Sequence, residues 1–387
     1  MNNSKMSGRG ILNRNLWHDP CFKQIRLLIL ALVVLSVAVP SLTASADQQF
    51  NLTERLIPIP HPITSLLRSG GIHRELNLTP EIITRIEQAA DEVDQPLWRL
   101  RDLPPDKRNE QAGKLIEQLK RRLSQSLNVR QMNRLNQIVW QAQGIEAILE
   151  PEVAARLGLS TVQKTSIIAL LSTGYQRIAE VNLNTQIHSE TVRASYVQRI
   201  QTETQQKITV VLSPAQQNAF RALIGQPVNM SQVRIVACKA PEFEVNKWIN
   251  KPKVTLSELK GKVTVIHFYA FGCGNCTRTL PYYNKWRDHF PSSAFQIIGI
   301  HRPETQQERD IDKVKKKAAE AGIEYPVAID NESLMWNAWA NCVWPSIYLL
   351  DKNGYVRYWW YGELNWQGAE SEKYLRSRIQ ELIEEKS

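Results

Sequence analysis

A chain of 387 residues with 43% hydrophobic content and a net charge of +10 is longer than one core usually serves, and its composition is neither disordered nor collagen-like. Basic and acidic residues are interspersed and no nucleic-acid-binding pattern occurs, so the charge reads as solubility and excludes nucleic acid as a partner.

The amino terminus carries Lys5, Arg9, Arg14, Lys23 and Arg26 against Asp19 alone, then an apolar run from Leu27 to Val39. That run is short for a bilayer span. It breaks at Pro40 and is followed by the small-residue pattern Ala44-Ser45-Ala46, so residues 1–46 are predicted to be a signal peptide cleaved before Asp47. The expected location is exported, periplasmic or cell-envelope, with membrane association if the leader is retained. Cleavage removes Cys21 and lowers the net charge to about +6.

Residues 47–230 read as an all-α domain. Pro58, Pro60 and Pro62 and the lack of periodicity make 47–75 an extended lead-in. Thr79-Pro80 then starts a helix whose Ile82, Ile83, Ile86, Ala89, Ala90 and Val93 recur at helical spacing, and Leu115, Leu119, Leu123 and Leu127 line one side of a second. A short pattern repeats: Leu78-Thr79-Pro80, Leu127-Asn128-Val129-Arg130-Gln131, Leu159-Ser160-Thr161-Val162-Gln163 and Leu212-Ser213-Pro214-Ala215-Gln216. Each copy is a helix start, and in the last three the Gln can close a capping box. The pattern resembles the LTxxQ signature of small helical periplasmic proteins of the Spy type, which bind unfolded chains or sense envelope stress. This half has no cysteine and no phosphate loop, and His73 and His188 are isolated.

Residues 231–387 alternate strand and helix. Strands are expected over Val263–Ala270, Phe295–His301, Tyr325–Asp330, Ser346–Leu350 and Tyr355–Tyr361, the last two joined by the hairpin signal Asn353-Gly354. Helices are expected over Cys276–Phe290, Gln306–Ala321 and 367–385, with the charged run Glu308 to Lys313 as a solvated face and Asp330 and Glu332 as a helix start. The implied fold is a mixed sheet with helices on both faces.

Cys273-Gly274-Asn275-Cys276 falls where the first of these strands meets its helix. Free amides and the helix dipole there favour a thiolate, so Cys273 is the expected nucleophile. Cys276, one turn on, is placed to resolve the mixed disulfide. Half of a zinc site is the competing reading, but a second Cys or His pair is missing, so no metal and no cofactor are expected. Cys238 and Cys342 are assigned no catalytic role and are a possible second disulfide, if their Cα distance allows it.

Val263 to Pro281, then Gly299-Ile300-His301-Arg302-Pro303-Glu304, Tyr325-Pro326-Val327-Ala328-Ile329-Asp330, Trp336-Asn337-Ala338-Trp339 and Trp344-Pro345-Ser346 to Asp351 resemble the thioredoxin-like domain of DipZ, within the TlpA and ResA group of exported thiol oxidoreductases. The resemblance covers about 150 residues of the carboxyl-terminal half and implies a thioredoxin fold. It implies that Pro345 is the cis-proline beside the disulfide and that Pro281 is the helix-kinking proline. Trp344 would line a client groove. His267 stands in place of a buried carboxylate and is open to two readings, proton relay or core histidine. Departures are Gly272 for a tryptophan, Gly274-Asn275 for Gly-Pro, and Leu364 for a second glycine.

The leading expectation is an exported thiol-disulfide oxidoreductase acting on protein thiols and disulfides, supplied with electrons by a separate membrane or soluble partner. The alternative is a client-binding or stress-sensing helical protein with a structural disulfide. A peroxidase of the peroxiredoxin type is disfavoured, because its Pro-x-x-x-Thr/Ser-x-x-Cys loop is absent.

Overall fold

The computed structural model describes residues 59–387 except 185, 186, 188, 232, 386 and 387. The predicted signal peptide, Cys21 and His188 lie outside the described residues.

The stretch read as an extended lead-in holds two short helices, α1 (Pro62–Leu66) and α2 (Gly70–Glu75). They are too short to show a period, and they form because Ile63, Leu66, Leu67 and Ile72 are buried against later helices. Next come α3 (Pro80–Trp98), α4 (Pro105–Ser126) and α5 (Val129–Gln143), then α6 (Pro151–Arg156), α7 (Thr161–Leu183), α8 (Glu190–Val211) and α9 (Pro214–Ile224). Leu119, Leu123 and Leu127 are buried as their spacing predicts.

The repeated pattern forms its caps. Thr79 accepts from the Ile82 amide at 3.4 Å, and complete capping boxes join Asn128 to Gln131, Ser160 to Gln163 and Ser213 to Gln216. The glutamines also work in tertiary structure. Gln163 Nε2 donates to the Val211 carbonyl at 3.0 Å and to Gln216 Oε1 at 2.8 Å, while Gln216 Nε2 donates to the Leu157 carbonyl at 3.2 Å. Gln131 likewise reaches the Leu76 carbonyl at 3.0 Å. Each glutamine thus caps its own helix and ties it to the entry of another, which gives the repeat a structural reason.

The carboxyl-terminal half contains β1 (Cys238–Lys239), β2 (Trp248–Ile249), β3 (Val263–Tyr269), α10 (Gly274–His289), β4 (Phe295–His301), α11 (Ile311–Glu320), β5 (Val327–Ile329), α12 (Leu334–Ala338), β6 (Ser346–Leu350), β7 (Tyr355–Tyr361) and α13 (Ser371–Glu384). The strands form one sheet in the order β1-β7-β6-β3-β4-β5-β2. β3, β4 and β5 run parallel; β6, β7 and the two edge strands pair antiparallel. This is the thioredoxin fold. Successive residues of the fully buried β3 face opposite sides. Val263 and Val265 pack with Cys276, Leu280, Tyr283 and Trp286 of α10 and Leu375 of α13, while Ile266 and Phe268 pack with Met335, Trp336 and Trp339.

Trp98, the last residue of α3, is buried in this second cluster. Its ring meets Trp359 at 4.8 Å and Tyr348 at 6.4 Å, both edge-on. Around it, Asp91 accepts from Arg68, from Tyr355 Oη at 3.0 Å and from Lys239 at 3.1 Å, and Arg68 also pairs with the buried Asp94 at 2.6 Å. The helical half therefore covers the β1 edge, which would otherwise present unpaired backbone to solvent. The 230/231 division by sequence pattern runs through a shared hydrophobic cluster.

Candidate active site

β3 is buried on both faces and stops at Tyr269; the chain then turns and Cys273 becomes the N-cap of α10. Its Sγ accepts from the Cys276 amide at 3.4 Å and lies 2.6 Å from Cys276 Sγ, whose S–H donates to it. Cys273 is partly exposed and Cys276 is buried. Donation from the Cys276 thiol holds the Cys273 pKa below its ordinary value; the Cys276 and Asn275 amides add to this, and burial opposes it. Burial, then the neighbouring sulfur, pushes Cys276 far up. These surroundings favour the thiolate at Cys273 and the thiol at Cys276.

A pH profile checks this inequality. Iodoacetamide labelling of Cys273 in the reduced protein is expected to rise with pH about a midpoint below 9.0, while Cys276 stays unlabelled. Because the folded pKa of Cys273 is depressed, its contribution to the stability of the reduced fold is present above the unfolded value and is lost as pH falls through the folded one. A labelling midpoint at or above 9.0 would contradict the geometry.

The loop before Cys273 is held by two residues that pattern reading missed. Glu308 is buried; Oε1 accepts from the Gly272 amide at 2.6 Å, and Oε2 accepts from the Glu304 amide at 2.7 Å and the Thr305 amide at 2.8 Å. The predicted solvated face from Glu308 to Lys313 is corrected at its first residue: Thr305 and Glu308 form a capping box turned inward. That spacing was the available signal. A Cβ on Gly272 would lie 2.7 Å from Glu308 Oε1, so the glycine departure is steric. His301 Nε2 accepts from the Phe271 amide at 3.3 Å, and its ring stacks on Phe271. Burial takes His301 down to about 4, leaving the neutral imidazole that such acceptance requires.

The Trp344-Pro345 bond is cis. Ser346 pairs with Phe268, so Pro345 stands at the end of β3 from which the cysteine loop departs. Trp344 shares the hydrophobic cluster that Cys273 packs against. Its ring lies 4.2 Å from Trp336, its Nε1 donates to the Arg302 carbonyl at 3.2 Å, and the Arg302 guanidinium covers both indoles at 4.9 and 4.6 Å. Pro281 lies inside α10, and Leu364 is buried beneath that helix, where its amide donates to Thr279.

His267 is fully buried, stacked on Tyr283 at 4.2 Å, with Nε2 3.0 Å from Tyr325 Oη. Burial lowers it to about 3, so it is a neutral core group and a weak base. Asp330 is also buried, and its carboxylate accepts from the Met335 and Trp336 amides at 3.1 and 2.8 Å, which places it at the start of α12. The possible Cys238–Cys342 disulfide is not brought together. Cys238 pairs with Val356, opposite the Leu350 end of β6, whereas Cys342 precedes the Ser346 end, and β6 is roughly 13 Å long. No bond joins the two sulfurs. Among the described residues no group of three or more His, Cys, Asp or Glu is arranged to hold a metal.

Residues 236–359 match the AhpC/TSA family. The thiol-disulfide oxidoreductase YkuV of Bacillus subtilis is 30% identical over 147 residues, which are 38% of this chain and 94% of YkuV. This chain belongs to the AhpC/TSA family. Within it, protein DipZ of Mycobacterium bovis is 37% identical over 136 residues, 34% of this chain but only 20% of DipZ. The chain thus spans about a fifth of that relative's length. A solved thiol-disulfide isomerase from Corynebacterium glutamicum is 26% identical, with 38% of this chain and 98% of that chain covered at a TM-score of 0.34. The relatives of the thioredoxin-fold half include proteins named thiol-disulfide oxidoreductases.

Proposed function

We propose that this protein is an exported oxidoreductase that exchanges disulfides with protein clients through Cys273 and Cys276. The observation that carries the reading is the inequality of the two sulfurs: a partly exposed, acidified thiol at the start of α10 beside a buried one held protonated. The Cys273 thiolate attacks a client S–S bond, forming a mixed disulfide and expelling one client sulfur as thiolate. Cys276 then loses its proton and attacks Cys273 Sγ, releasing the second client thiolate. The client gains two electrons and the pair becomes a disulfide, which a separate donor must reduce. Trp344 and cis-Pro345 border the groove for the client segment. The predicted leader and the likeness to DipZ and ResA support a location outside the cytoplasm.

The test is the reduction potential of the pair together with turnover of insulin disulfides under dithiothreitol. Catalysed turnover and a potential above about −300 mV are expected. A potential below that value without turnover would make the pair a structural bond.

A further inference from the structure

The turn that follows α3 contributes one side chain to the far side of the sheet. The Arg101 side chain is buried, with its guanidinium 4.1 Å from the Trp98 ring and Nη1 donating to the Trp98 carbonyl at 2.9 Å. Nε and Nη2 also reach beyond the helical half, although Nε lies 3.3 Å from Asp102 Oδ2 within it. Nε donates to Tyr361 Oη at 2.7 Å, and Nη2 donates to the Ala340 carbonyl at 2.6 Å and the Trp339 carbonyl at 3.4 Å. Tyr361 ends β7, directly opposite Ser346 at the start of β6. Trp339 and Ala340 follow α12 and begin the run Asn341-Cys342-Val343-Trp344-Pro345.

That run needs holding. Ala340 has φ +50°, a conformation unfavourable for a residue with a Cβ. Its neighbour Asn341 donates back to the Trp336 carbonyl at 3.0 Å, and the Asn341 side chain meets the Tyr348 hydroxyl. The Ala340 and Trp339 carbonyls point at Arg101. A planar guanidinium can hold two carbonyls and a hydroxyl at fixed angles, which an ammonium cannot reproduce in full. Without it these acceptors lose their partner, and the loop gives up order to reach water.

We propose that Arg101 is a positioning residue through which the helical half sets the client groove, by fixing the loop that carries Trp344 and Pro345. The inference rests on the exchange reading above and assigns the helical half a part in it. Protein clients need the groove formed; a small disulfide needs only the exposed Cys273 sulfur. Loss of Arg101 therefore separates the two kinds of substrate.

The experiment compares the full chain with Arg101→Ala and Arg101→Lys. The readouts are kcat and KM for insulin disulfides under dithiothreitol, the rate at which reduced Cys273 reacts with oxidised glutathione, and hydrogen exchange of the 340–344 amides. In Arg101→Ala the KM for insulin is expected to rise about tenfold with kcat little changed, and the amides to exchange faster. The glutathione rate is expected to stay within about twofold, because no groove contact is made. Arg101→Lys is expected to recover part of the KM. An unchanged KM in Arg101→Ala, or an equal fall in the insulin and glutathione reactions, overturns the proposal. A wild-type chain inert toward insulin would overturn the exchange reading itself, and that failure is visible before any variant is compared.

Discussion

Cells carrying Cys276→Ser are expected to accumulate covalent complexes between this protein and its clients, visible on non-reducing gels and abolished by reductant. The substitution leaves Cys273 at the N-cap of α10 with its helix amides, so attack persists. It removes the sulfur poised to resolve the mixed disulfide, since Cys276 Sγ is 2.6 Å from Cys273 Sγ. Catalysed insulin reduction is expected to fall about a hundredfold or more in each single variant, because the two sulfurs act as a unit. The variants differ in trapping. Cys273→Ser is expected to trap nothing, as burial keeps Cys276 from clients and raises its pKa. Equal trapping by both variants would show that helix position does not set the roles.

The second large effect is on stability. Trp98→Ala is expected to destabilise the full chain by about 3–5 kcal/mol, read as a lower urea midpoint, since it deletes a fully buried indole from an aromatic-rich cluster on one face of the sheet. The loss is expected in the thioredoxin-fold half as well as the helical half. Trp359 and Tyr348 form the socket for Trp98, and both belong to residues 231–387. A fragment beginning at Val233 lacks α3 altogether. It is therefore expected to unfold at lower urea than the full chain and to bind a hydrophobic dye through the open socket. A fragment with the midpoint of the intact protein would show that the shared cluster contributes little.

The extent to which each part was legible follows from the range of the interaction that forms it. Sheet strands β3, β4, β6 and β7 were readable to within a residue or so, because continuous β-branched and aromatic runs bounded by turns have few alternatives. The two-residue strands β1 and β2 were not, since they exist only through pairing with β7 and β5. The helix caps were readable because a capping box closes over three residues. The second partner of each glutamine was not, as Gln163 and Gln216 are 53 positions apart.

By itself the sequence determined the cysteine pair, its place between a buried strand and a helix, and hence which sulfur is proposed as the nucleophile, because a helix terminus acts on residues within one turn of it. The tertiary structure alone decided which groups surround that pair. Glu308 turned inward to hold Gly272, His267 became neutral by burial, Cys238 was paired into the sheet edge, and Arg101 was brought to a loop more than two hundred residues away. Each depends on desolvation or on a contact between distant segments, and those quantities come into existence only when the chain has packed.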